Sequence, residues 1–226
     1  MKMPTRTEII DELRGVLKGP RPLADALLAP LVFVTVYAIA GLTAGAVLAV
    51  ASGIVIAFVR LLRKSPVRFA VAGLAGTAAA ASFAVWSGSA EAFFIPGIIS
   101  GVLTAFIALI SIMARKPMVA WTSMLVRRWP AGWYWHPRVR PAYTEVTWVW
   151  LAFFAGRAAL QWNLANQGDL TALAGVRLIG GWPALVVLLI VTYIYGTARL
   201  ARLGGPSVEE FRSRAPQPWT GQRRGF

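Results

Sequence analysis

From Leu23 to Val59 the chain runs for 37 residues with one charge, Asp25, near its start. A single α-helix of that length would measure roughly 55 Å, against a bilayer hydrocarbon core of roughly 30 Å. The run therefore predicts two membrane spans, near residues 25–40 and 43–61, that turn back at Gly41-Leu42-Thr43. A hairpin also leaves Arg21, Arg60, Arg63 and Lys64 on one side of the membrane, as the bias of basic residues toward the cytoplasm favours.

The same reading extends along the chain. With 57% hydrophobic and 14% charged residues, the sequence lies far from the roughly 25% charge of soluble domains. It predicts an all-α fold: a polytopic transmembrane helical bundle in the inner cell membrane. Six spans are expected, near 25–40, 43–61, 69–86, 95–114, 146–164 and 178–198, with both termini cytoplasmic. Residues 1–22 then form a cytoplasmic amphipathic segment, 23–200 the transmembrane domain, and 201–226 a basic cytoplasmic tail. In the first of these, Ile9, Ile10, Leu13, Val16 and Leu17 share a stripe, Thr5 and Glu8 have the spacing of a capping box, and Gly19-Pro20 supplies a stop. The start MKMPTRTEII shows no apolar stretch followed by a small-residue cleavage site, so no removable signal peptide is expected. The tail, polar and carrying Pro216 and Pro218, is expected to lack order.

A net charge of +14 raises the question of nucleic acid. Its distribution answers it: 21 of the 23 Lys and Arg fall on the side assigned to the cytoplasm. Topology and anionic inner-leaflet lipid account for that bias with no nucleic-acid partner. Residues 117–144 are the most unusual stretch. Met118 to Trp129 reads as an interfacial helix, and the proline-rich remainder as irregular chain. Within it Arg127, Arg128, Trp129, Trp133, Trp135, Arg138 and Arg140 are expected at the lipid headgroup level, as an aromatic belt with a basic rim.

No catalytic signature is present. There is no cysteine and one histidine, His136, so neither a thiol nucleophile nor a histidine-based metal site or triad can be assembled. No cofactor and no metal are expected, and the chain reads as non-enzymatic. Arg157 is the outstanding residue, because an arginine within a span costs several kcal/mol unless paired, hydrated or able to snorkel. It lies 12 residues beyond Glu145, about 18 Å along a helix. Depth makes Glu91 or Asp169 its expected partner. With Gln161 one turn further on, and Asn163, these residues form a candidate intramembrane polar site. Asp25 and Glu145 read as carboxylates at helix N-termini. Gly41 with Gly45, and Gly97 with Gly101, have the four-residue spacing of close helix packing, which also permits self-association.

Several short patterns occur in order between residues 25 and 200: Pro30-Leu31-Val32-Phe33 with Tyr37, Val59-Arg60, Lys116-Pro117-Met118, Trp150-Leu151-Ala152-Phe153-Phe154 with Asn163, and Tyr193-Ile194-Tyr195. In these the chain resembles the intracellular septation protein A family of bacterial membrane proteins. It is similar, more closely, to an actinobacterial multi-pass membrane family of unknown function. The resemblance implies a structural or interaction role in cell-envelope synthesis or division, with other envelope membrane proteins as partners. The long basic N-terminus, the WYWHPRVRP loop and the arginine-rich tail depart from the septation pattern, so partner identity does not carry over. The alternative is a small transporter or channel that uses Arg157.

Overall fold

A computed structural model describes residues 22–62, 68–222 and 225–226. Among them every regular element is helical and none is a strand. The elements are α1 (Pro22–Leu62), α2 (Arg68–Ser87), a 3-10 turn (Glu91–Phe94), α3 (Ile95–Met113), α4 (Met118–Arg127), α5 (Ala131–Tyr134), α6 (Arg140–Asn166), α7 (Leu170–Ile179), α8 (Trp182–Leu203) and α9 (Val208–Ser213). Three stretches, Leu28–Leu62, Glu91–Met113 and Leu170–Leu203, are long and apolar enough to cross a membrane. They mark a membrane protein. Ile39, Val55, Phe58, Phe106 and Ile194 stand exposed on these stretches, a surface that hydrocarbon accommodates and water does not.

The long apolar run does fold back on itself. Inside α1, Gly41 takes φ 83° and ψ −177°, a conformation essentially confined to glycine. A Cβ on Gly45 would lie 3.0 Å from the Phe33 carbonyl oxygen and 3.2 Å from the Tyr37 amide nitrogen. In an uninterrupted helix, residues eight apart are about 12 Å apart along the axis. The two arms of α1 are therefore packed together as a helical hairpin, and a glycine at 45 is what lets their backbones meet.

The chain divides into two compact units. The first comprises the described residues of Gly19–Gly101 together with Arg157–Ala184. Its core is an aromatic stack set in small side chains: Phe33 lies on Phe93 with ring centroids 4.0 Å apart and planes 7° from parallel. Phe94 meets both edge-on. Ala46, Ala49, Ala80, Ala81 and Ala84 supply the walls, and Leu173 and Ala174 of α7 pack on the same cluster. The helix α7 falls where the sequence reads as an outer loop. Asp169 caps it by accepting the Ala172 amide hydrogen at 2.9 Å, and Gly180-Gly181 follows its last turn. The final long helix consequently begins at Trp182 rather than near 178.

The second unit comprises, among described residues, Val102–Gly156 and Leu185–Phe226. Here α4 forms where an interfacial helix is expected, and the proline-rich remainder, expected to be irregular, holds the single turn α5 and from Arg140 the start of α6. The tail departs from its expected lack of order. Ser207 opens α9 through a capping box, its hydroxyl accepting from the Glu210 amide while Glu210 accepts from the Ser207 amide. Val208 and Phe226 are buried in the cluster of Trp133, Tyr134, Tyr143 and Leu200. A few apolar anchors spaced through polar sequence suffice to order it, a pattern that mean composition does not display. The amphipathic segment at 5–18, the loop cations Arg63 and Lys64, the side chain of Asp25, and Arg223-Arg224 lie outside the described residues.

Candidate functional site

Arg157 and Arg177 carry the structure's unresolved electrostatics. Both belong to the first unit and both are half-buried. The Nε of Arg157 is sealed from solvent and has no hydrogen-bond acceptor. The guanidinium of Arg177 lies over the Phe94 ring, 5.8 Å from its centroid. Its Nη1 occupies space directly above Gly97, where a Cβ would come within 2.7 Å. Gly97 thus lies against the end of the Arg177 side chain, a contact distinct from the Gly97–Gly101 helix packing expected from spacing. Among the described residues neither guanidinium forms an ion pair.

The carboxylates expected beside Arg157 are engaged elsewhere. Glu91 Oε2 accepts the Ser89 hydroxyl at 2.5 Å, and Asp169 serves as the cap of α7. Asn163 accepts from the Gln167 amide nitrogen at 2.7 Å on an exposed surface. Gln161 alone stays close in register, four residues beyond Arg157 on α6 and only 2% exposed. Among the described residues Glu91, Asn163 and Asp169 thus have hydrogen-bond partners other than Arg157, and none forms an ion pair with it. Arg177, a second half-buried arginine of the same unit, lies against Phe94 and Gly97. A cation–π contact returns about 1–2 kcal/mol, while a charge withdrawn from water costs several. The contacts on hand leave a deficit. The sequence does carry a trace of Arg177, since it and Arg157 are the only Lys or Arg between Glu145 and Ala198.

The second unit holds the residues expected at the lipid headgroups, and it divides them. Trp133 is fully buried, its indole N–H donating to the Pro206 carbonyl at 2.8 Å. This corrects its interfacial assignment: an indole with a buried acceptor packs in a core as readily as at a membrane surface. Trp129 crosses it edge-on at 5.2 Å and carries Arg127 over its face at 5.0 Å. Arg127 Nε also donates to the Phe226 carbonyl at 3.0 Å. Trp135 packs against Trp121, Arg138 lies 5.7 Å over Trp219, and Arg140 opens α6. Arg128, with left-handed backbone at the end of α4, is exposed. Burial, followed by the nearby Arg138, holds the His136 imidazole below its ordinary pKa. Burial raises that of the Tyr134 phenol, whose oxygen shares a 3.1 Å hydrogen bond with Ser123.

Glu145 also differs from its expected role. The helix begins five residues earlier, at Arg140, so Glu145 is past the first-turn amides. Its partner comes from α8: Arg199 donates from Nε to Oε2 at 2.9 Å and from Nη2 to Oε1 at 2.8 Å, and the Tyr195 hydroxyl donates at 2.6 Å. A separation of 54 residues hides this pair from local reading. Among the described residues no group of three or more His, Asp and Glu is placed to hold a metal ion.

A family model described as Protein of unknown function (DUF3159) matches residues 17–202. The match takes in Arg157, Arg177, Glu145 and Arg199, and leaves the segment folded onto Tyr143 outside. No curated protein matches the chain, and no solved structure matches it.

Proposed function

The chain belongs to the DUF3159 family, proteins of unknown function, and from that premise we propose that it is a multi-pass inner-membrane protein serving as a structural or interaction component of the cell envelope. In this reading the membrane domain crosses six times, with both termini in the cytoplasm and Arg157 toward the outer side. It acts through other envelope membrane proteins and anionic lipid, and not by catalysis.

The observation that carries the reading is the built surface of the second unit. Its loop, the end of α8 and the tail close over one aromatic core, and Arg115, Arg128, Arg138, Arg202, Arg212 and Arg214 are exposed around it. A folded, basic, aromatic surface suits adhesion to anionic headgroups and to a protein docked beside them. Resemblance to septation proteins points the same way.

Photocrosslinkers at Arg128 and Arg212 in living cells are expected to trap envelope membrane proteins, and loss of the chain to disturb envelope growth or division. Normal envelopes together with no trapped membrane protein would reject the reading. The second reading, a small transporter or channel, draws on the unpartnered Nε of Arg157. It requires solute flux through reconstituted protein that stops in Arg157→Gln.

A further inference from the structure

Three helices of the second unit, α4, α6 and α8, build a slot that Phe226 fills. Its ring lies on that of Tyr143, with centroids 4.3 Å apart and planes 11° from parallel. It also reaches the backbone of α8, where a Cβ on Gly196 would come within 2.5 Å of the ring. The Phe226 carbonyl oxygen accepts from Arg127 Nε at 3.0 Å, and the Arg127 guanidinium is carried over the Trp129 ring. The residue before completes the fit. Gly225 takes φ 78°, in the left-handed region that favours glycine, and lies against the end of the same Arg127 side chain. Ring, backbone acceptor and left-handed glycine are thus held together, which amounts to recognition of a Gly-Phe pair.

Arg127, Tyr143 and Gly196 all fall within residues 17–202, the stretch the family model matches, while the occupant lies beyond it. Among the described residues no helix separates α9 from Phe226, so the ring can leave the slot without any helix unfolding. We propose that the slot is a receptor for an acidic Gly-Phe segment of another protein, and that the tail of this chain is the ligand such a segment displaces. The rim carries the charge that favours the exchange: Arg127 is a wall of the slot, and Arg128 beside it is exposed. The tail places Arg223-Arg224 just before its Gly-Phe in sequence, where a partner with Asp or Glu gains charge attraction to that rim. The tail holds its place by tethering, since a segment on a short linker acts at an effective concentration of about millimolar. The site does not depend on the envelope role and would stand if that role failed.

The test uses the full chain in detergent with Phe226→Ala, which vacates the slot. The probe is a fluorescein-labelled peptide of residues 217–226 carrying Arg223→Glu and Arg224→Glu, followed by fluorescence anisotropy. Saturable binding is expected, about tenfold or more tighter than to the unaltered chain, whose own ring competes. The same peptide with Phe226→Ala, and the peptide with the tail's own two arginines, are each expected to bind more weakly. Adding Gly196→Val to the protein fills the slot and should abolish binding. Should that variant fail to fold, adding Arg127→Gln instead removes the donor to the Phe226 carbonyl, and is expected to weaken binding by about tenfold, the loss of one charge-assisted hydrogen bond. The proposal is overturned by no saturable binding to the Phe226→Ala chain, or by equal binding to the unaltered chain. Equal binding of either control peptide, or affinity unchanged by Gly196→Val or Arg127→Gln, overturns it too.

Discussion

The ring of Phe226 lies 4.3 Å from that of Tyr143 and 11° from parallel to it. It also sits directly on the backbone of α8, for a Cβ at Gly196 would come within 2.5 Å of its ring. One aromatic side chain thus fastens the tail to the membrane-helix end of the second unit. Phe226→Ala removes a ring that is 9% exposed and is expected to cost about 3 kcal/mol. Gly196→Val is expected to release the ring without altering the tail sequence. Both should quicken proteolysis within residues 204–222 in detergent, while the helix content of the membrane domain holds. A tail as resistant as before would contradict the packing.

The tail has a second fastening, sensitive to acid. Amide hydrogens of Ser207 and Thr220, and then the Thr220 hydroxyl, hold the Glu210 carboxyl down at about 2, from an ordinary value of 4.5. A carboxylate held low in the folded state stabilises it fully above its unfolded pKa, and that contribution fades as pH falls through the folded one. The tail is therefore expected to stay fastened at neutral pH and to loosen progressively between about pH 4.5 and pH 2. Trp219 emission, followed against pH, reports the change. In Glu210→Gln the acid transition attributable to this group should disappear.

Gly41 is the turn of the α1 hairpin, and its backbone lies where a side chain is strained although nothing stands within 4 Å of a Cβ there. Gly41→Ala is expected to cost about 1–3 kcal/mol from backbone strain alone. Gly45→Leu should do more, since Phe33 and Tyr37 leave no space. Unfolding of the purified variants in mixed micelles measures both. An unchanged Gly41→Ala would mean the turn can be made elsewhere.

Glu145 and Arg199 make a bidentate pair with both side chains about one-third exposed. Such a pair in water contributes about 1 kcal/mol or less. Arg199→Lys keeps the charge and loses the fork, so a loss of at most that size is expected in detergent. A double-mutant cycle with Glu145→Gln isolates the pair. A coupling well above this would place the pair in a drier environment than its exposure indicates.

The absence of cysteine makes the topology directly measurable. Single cysteines at Ser89 and at Thr122 are expected to react from opposite sides of the membrane in intact cells, Ser89 from outside. Reaction of both from the same side would reject the six-span orientation.

The sequence by itself determined the helical class, the membrane setting, the α1 hairpin and the boundaries of α2 and α3, because these follow from apolar length, glycine and basic flanks along a continuous stretch. It also singled out Arg157, since one charge within an apolar stretch is conspicuous without any neighbour. Tertiary structure decided who stands beside it. Glu91 and Asp169, the partners expected for it, instead accept from the Ser89 hydroxyl and the Ala172 amide. Trp133 is in a core, Glu145 pairs across 54 residues, and Phe226 orders a polar tail for the same reason. Partners far apart in sequence are fixed by packing and by the cost of unpaired polar groups, and neither is written in local composition.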